Sequence, residues 1–128
     1  MTPTEMRYQA ARNRTRASGL DSAAARLRVI ADAIRTLLSD LSARSRQVWQ
    51  GPAASDFEQR ADAADAEVKA QAALLVSTAV DFEAQARALR SDAANLEAQA
   101  TAAEVAAATA AAASALAAAA PGVPIGVE

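Results

Sequence analysis

The fold is decided at the link between two helical stretches, residues 48–57, which read VWQGPAASDF. Its first half, Trp-Gln-Gly-Pro at 49–52, holds the only Gly and Pro between residues 20 and 120. Proline disfavours a helical residue before it and suits the first turn of the next helix. Glycine supplies the backbone angles that a chain reversal needs. We therefore expect a turn at 49–52 that joins two antiparallel helices.

Upstream of this turn, large apolar residues recur at every seventh position: Leu20, Leu27, Ile34, Leu41 and Val48. A second column, four positions later, is formed by Ala24, Ala31 and Leu38. Ile30 and Leu37 widen the apolar stripe. A repeat of seven with two apolar columns is typical of a helix that packs along a facing helix.

Downstream of the turn the same repeat returns at Val68, Leu75, Phe82, Leu89 and Leu96, each with an alanine four positions later. Phe57 opens the same face. The sequence thus predicts a helical hairpin over 20–103. A single hairpin has only one layer, so about half of each apolar column would face water, and we expect an obligate dimer or heterodimer. The predicted partner-packing face consists of Leu27, Ile34, Leu41, Phe57, Val68, Leu75, Phe82 and Leu89.

Two further segments flank the hairpin. Residues 1–19 are a basic lead-in that can form a helix over 4–17, begun by Thr2 and Pro3, with Ser18-Gly19 expected to weaken or break it. Residues 104–128 are an alanine-rich, low-complexity tail, either helical or frayed. The tail is long enough to span a membrane, which takes about 20 apolar residues. Alanine is barely apolar, however, so we expect no membrane insertion.

Composition narrows the function. Of the 128 residues 40 are alanine, and there is no Cys and no His, which excludes thiol chemistry, zinc-finger sites and imidazole catalysis. Asp62 and Asp65, three positions apart on a helix, could touch one cation. A thin hairpin has no enclosing pocket, so we interpret them as part of a solvated acidic face. We expect no enzyme activity, no metal and no cofactor.

The charge is uneven along the chain. Residues 1–48 carry a net charge of +5 and residues 49–128 a net charge of −7. In an antiparallel hairpin the two arms attract each other. We favour this intramolecular interpretation of the charges over nucleic-acid binding, because nucleic-acid binding needs a basic stripe that the chain does not itself neutralise. The cluster from Arg7 to Arg16 leaves a phosphate-binding alternative open.

The motif Trp49-x-Gly51, placed at the turn of a helical hairpin, resembles the WXG family of small type VII (ESX-like) secretion proteins. The resemblance covers residues 20 to about 100. It includes the extension Pro52-Ala-Ala and the aromatic Phe57 after the glycine, a pattern similar to the turn of many actinobacterial members.

The resemblance implies a small interaction protein that dimerises, with itself or with a sister WXG-type protein, into a four-helix bundle. It also implies that Trp49 and Gly51 lie at the end of that bundle, where the turn helps recognition by the secretion machinery. A secretion ATPase is a further candidate partner. The protein would start in the cytoplasm and leave by a type VII pathway, without a classical signal peptide.

The chain departs from the family in one respect. Family members usually carry a C-terminal Tyr-x-x-x-Asp/Glu export pattern, whereas the single Tyr8 is followed four residues later by Arg12. Either a partner supplies the signal, or the protein stays inside as an adaptor. An unrelated coiled-coil structural or adaptor module, in which Trp49-x-Gly51 is accidental, is the alternative.

Overall fold

A computed structural model describes residues 1–48 and 51–119 of the chain. It contains two helices, α1 (Pro3–Val48) and α2 (Pro52–Ala119), and no strand within those residues. The helices pack against each other, so the predicted all-α class and the helical hairpin are confirmed. The alanine-rich segment is helical as far as Ala119 and its side chains after residue 103 are exposed.

The first turn of α1 is closed by a reciprocal cap. The Glu5 backbone N–H donates to Thr2 Oγ1 at 3.1 Å, and the Thr2 backbone N–H donates to Glu5 Oε2 at 2.7 Å. Pro3 follows the cap, where its missing N–H would have no helical partner. The hydrogen bond from the Thr2 backbone lowers the pKa of the Glu5 carboxyl, because it stabilises the charged form.

The expected weak point at Ser18-Gly19 does not interrupt α1, which is helical through both residues. Glycine inside a helix costs about 1 kcal/mol relative to alanine. The adjacent turns bury Ala17 and Ala24 completely or almost so, and this packing offsets the penalty. The basic lead-in therefore continues directly into the helix that reaches the turn.

By its internal contacts the chain divides into two compact units, each built from a segment of α1 and a segment of α2. Unit 1 comprises Met1–Thr15 and Leu89–Glu128, and unit 2 comprises Arg16–Ala88. The segments 1–19, 20–103 and 104–128, which the sequence predicts, are divided at other residues than these two units. That division stays a prediction.

Alanines alone form the fully buried apolar core of the described chain. In unit 2 these are Ala17, Ala24, Ala31, Ala72, Ala79 and Ala86, and in unit 1 they are Ala10, Ala93 and Ala100. On each helix they recur every seven residues, and no large side chain among those described is completely buried. We call this set the alanine seam. Because a methyl group is small, we infer that the two helix backbones lie close together along this seam and that a larger residue would push them apart.

Replacing Ala79 by leucine is expected to lower the free energy of unfolding by about 1–3 kcal/mol, because the added side chain must force the helices apart. The control is Ala84→Leu, which adds the same atoms at an exposed position of the same helix. Urea denaturation followed by circular dichroism measures both variants. Equal stability of the two would mean that the seam tolerates bulk and does not set the helix spacing.

Candidate functional site

The turn between the helices is the first candidate site. Trp49 lies outside the described residues, so its predicted placement stays a prediction. Gly51 is described, and its φ of 99° lies in the left-handed region that favours glycine. Its carbonyl oxygen accepts a hydrogen bond from the Ala54 N–H at 3.0 Å, which closes the first turn of α2. The glycine of the motif thus has a backbone reason to be glycine.

Gly51→Ala is expected to lower the free energy of unfolding by about 1–3 kcal/mol, because an L-residue is strained at this φ even though its Cβ would meet open space. Gly19 is the matched control, since it lies inside α1 with nothing within 4 Å of an added Cβ. There Gly19→Ala should raise stability by about 0.5–1 kcal/mol. Thermal melts compare the two variants. A Gly51→Ala variant as stable as the unaltered chain would contradict the turn geometry.

Ion pairs lie on one side of the alanine seam. In unit 2 the Arg28 guanidinium donates to Glu83 Oε1 through Nε at 3.0 Å and through Nη2 at 2.6 Å. Each of these residues stands four positions after a buried alanine, Ala24 or Ala79. This ion pair places Arg28 of α1 beside Glu83 of α2 and marks the antiparallel register of the two segments in this unit. We call this side of unit 2 the charged side.

Unit 1 repeats the arrangement within its own segments. Arg7 pairs with Glu104, and Arg14 pairs with Glu97. Arg7 also donates to Thr101 Oγ1 at 3.3 Å. The hydrogen bond to Glu104 raises the pKa of the Arg7 guanidinium, because the carboxylate stabilises the charged form. Two of the arginines that kept a phosphate-binding alternative open are thus paired with glutamates of the same chain.

A column of large apolar residues in unit 2 lies on the side opposite the ion pairs, although Val76 stands on the charged side, four positions after Ala72. Leu27 and Phe82 stand three positions after Ala24 and Ala79, whereas Arg28 and Glu83 stand four positions after them. Residues at i+3 and i+4 flank position i of a helix on its two sides. We call this second side of unit 2 the apolar side.

The predicted partner-packing residues are only partly covered by the hairpin. The half-buried ones in unit 2 are Leu27, Ile34, Phe57, Val68, Leu75 and Phe82. Leu41 is 52% exposed, so it does not belong to the buried seam of the hairpin. Leu89, in unit 1, is half-buried. Whether a partner covers these residues stays a prediction.

Three exposed residues extend the apolar side of unit 2 away from the seam. Ile30 and Leu37 of α1 are 48% and 62% exposed, and Leu74 of α2 is 60% exposed. The sequence pattern indicated Ile30 and Leu37 only as a widening of the stripe, and it gave no sign of Leu74. The available signal was the spacing of seven residues between Ile30 and Leu37, because this spacing places both side chains on one further face of α1.

Unit 1 has a polar residue in the column that stands three positions after the buried alanines. Asparagine occupies a position there that large apolar residues occupy in unit 2. Asn13 is only 6% exposed, and its Oδ1 accepts a hydrogen bond from Gln9 Nε2 at 3.1 Å. Together with Asp92, Asn95 and Gln99 it lines a depression of about 330 Å³. Sequence reasoning missed this group. An amide in an otherwise apolar helical seam favours one register of packing over others.

The acidic residues that raised a metal hypothesis are placed as follows. The Lys69 ammonium donates to Asp65 Oδ2 at 2.7 Å, so this carboxylate is already paired. Asp62 also has an interaction of its own. Within residues 1–48 and 51–119 no group of three or more acidic side chains is placed to hold a metal ion.

The length and hydropathy of α2 bear on the membrane question. One stretch within Ala53–Ala119 is long and apolar enough to cross a membrane by these two criteria alone, and none of it is buried. From residue 105 to residue 119 it has no charged side chain, and its only large apolar side chains are Val105 and Leu116. The expectation that this segment does not insert stays a prediction.

No family model, curated protein or solved structure matches the chain. The likeness to the WXG family therefore depends on the turn motif and the hairpin alone.

Proposed function

We propose that the chain is a small, non-enzymatic interaction protein of type VII (ESX-like) secretion. It acts as a secreted substrate, a co-secreted partner or an adaptor, and it does so by dimerising into a helical bundle. The observation that carries the proposal is the two-sided unit 2, with paired charges on one side of the seam and half-covered Leu, Ile and Phe on the other. Such a hairpin buries its large residues fully only when another pair of helices covers the apolar side.

The position of Trp49-x-Gly51 supports the secretion part of the proposal. α1 ends at Val48 and α2 begins at Pro52, so the motif falls in the three residues that connect them. We expect a tryptophan between two helix ends to contribute little to the central seam and to be available to a protein of the secretion machinery. The indole has a large apolar surface and one N–H donor, which suits a protein-binding site.

The missing Tyr-x-x-x-Asp/Glu pattern decides how export would work. Because this sequence has no copy of the pattern, a dimer partner would supply the signal, or the protein would remain in the cytoplasm as an adaptor.

A coiled-coil structural or adaptor module unrelated to secretion is the second candidate. The length of the helices favours it, since α1 has 46 residues and α2 has 68, more than the compact family form requires. Gene neighbourhood separates the two functions. A secretion ATPase and a sister W-x-G gene next to this one would support the first function.

Leu41→Asp is expected to convert the dimer to monomers while the hairpin stays helical. Leu41 is 52% exposed in the hairpin, so the charge is tolerated there, but a partner that covers it would desolvate an unpaired carboxylate. We expect the dimer dissociation constant to rise at least tenfold in sedimentation equilibrium, with an unchanged circular dichroism spectrum. Leu116→Asp, at a 73% exposed position of the tail, is the control.

Two outcomes would contradict the bundle. One is a Leu41→Asp variant that dimerises as tightly as the unaltered chain. The other is an unaltered chain that sediments, in the presence of its sister protein, as a stable and fully helical monomer at micromolar concentration.

Trp49→Phe separates a structural role of this residue from a recognition role. If the secretion machinery binds the indole, the variant should keep its thermal melt nearly unchanged and lose export or partner recruitment. The measurement pairs a melt of the purified variant with secretion of the complex in a strain that carries the cognate system. Normal export of the variant would refute recognition of the indole. Unfolding together with failed export would assign Trp49 a structural role instead.

A further inference from the structure

A second stripe of residues lies on the outer part of α1 in unit 2, on its apolar side. It consists of Arg26, Ile30, Ala33, Leu37 and Asp40. Steps of four and three residues keep all five on one side of a helix. All five are exposed in the hairpin. We call this set the outer stripe.

The outer stripe is nearly symmetric about its central alanine, to within one residue. A cation and an anion stand seven positions from Ala33, Arg26 before it and Asp40 after it. Between them, Ile30 stands three positions before the alanine and Leu37 four positions after it. This pattern fits a contact across a two-fold axis, in which residue i must fit residue j of the other copy while j fits i.

We propose that the outer stripe binds the outer stripe of a second copy of this chain, with the two α1 helices antiparallel and their turns at opposite ends. Arg26 then pairs with Asp40 of the second copy, Ile30 packs on Leu37 of the second copy, and the two Ala33 residues meet at the axis. The proposal rests on the dimerisation in the proposed function. It fixes the partner as a second copy and fixes the register.

The choice of a second copy follows from the charges. Neither Arg26 nor Asp40 forms an ion pair with another residue of the described chain, although Arg28 and Glu83 nearby do. In the antiparallel register each dimer satisfies both residues twice. The small Ala33 lets the helices approach at the axis, as alanines do in the hairpin seam.

The facing part of α2 is compatible with the same axis. The Arg28–Glu83 ion pair puts Thr78 within about one residue of the height of Ala33 along the helices. Thr78 stands six positions after a buried alanine, as Ile30 does. The Thr78 hydroxyl donates to the Leu74 carbonyl oxygen at 3.0 Å, so covering it leaves no donor unsatisfied.

Two glutamines flank Thr78 on α2. Gln71 and Gln85 stand seven positions before and after it, and both are exposed in the hairpin. The proposed axis brings Gln71 of one copy to Gln85 of the other. Both side chains are uncharged, and each amide can donate and accept a hydrogen bond, so the pair adds no repulsion to the contact.

Cysteine cross-linking tests the register, because the chain has no cysteine of its own. A disulfide needs Cα atoms within about 7 Å, so Ala33→Cys should give a covalent dimer in mild oxidant only if the two copies meet at this residue. Ala25→Cys, exposed on the charged side of the same helix, is the control and should stay uncrosslinked.

Other cross-linking results overturn the proposal. If the turns lay at the same end, α1 would face α2 of the second copy. A mixture of Ala33→Cys and Thr78→Cys chains would then cross-link while neither would do so alone. A chain that sediments as a monomer by itself also overturns it, and this result leaves the secretion proposal to the Trp49 variant and to a sister protein.

Charge exchange tests the ion pair separately. Arg26→Asp and Asp40→Arg should each weaken dimerisation about tenfold in sedimentation equilibrium, because each places like charges together twice per dimer. The double variant R26D/D40R should restore the affinity of the unaltered chain. Asp32→Arg, at a position 79% exposed and outside the stripe, should change it less than about twofold. Absence of rescue in the double variant would refute the pairing.

Discussion

Close approach of two helices along a column of alanines is the interaction on which the rest of the structure depends. In unit 2 Ala24 and Ala79 are buried to 1% and 0% exposure, and larger side chains are not. A methyl group removes little apolar surface from water, so each alanine contributes little by itself. The gain comes from the many van der Waals contacts that become possible when the helix backbones lie close together. The seam therefore depends on small size at every seventh position.

The same seam explains why unit 2 has two different sides. When alanine is centred on the facing helix, the residues at i+3 and i+4 flank the contact and neither is fully covered. At i+4 the flank includes an ion pair, with Arg28 and Glu83 in contact and partly hydrated. At i+3 it is apolar, with Leu27 and Phe82 half-buried. Partial hydration suits the ion pair, because desolvating the two charges would be expensive. The same partial hydration leaves apolar surface of the other flank in contact with water.

Register in unit 2 needs more than alanine. Because the alanines repeat every seven residues, sliding one helix by seven would again match alanine with alanine. Such a slip would move Glu83 away from Arg28 and bring Val76 to its height. The ion pair is exposed and adds little to stability, but it distinguishes two arrangements that the seam alone does not. The ion pair therefore selects the register of the two helices, and the alanines supply the contact between them.

The sequence by itself determined the helical class, the two helices and the break near 49–52, because alanine content, the repeat of seven and the Gly-Pro pair are local signals. Only the tertiary structure decided that α1 passes through Gly19, since the packing of Ala17 and Ala24 outweighs the local preference. The tertiary structure also decided which of the two columns of the repeat lies at the centre of the contact between the helices. A repeat with alanines beside leucines fits either column, and the choice depends on how closely two backbones can approach. That distance, a property of the pair of helices, buries the alanines and leaves Leu41 exposed.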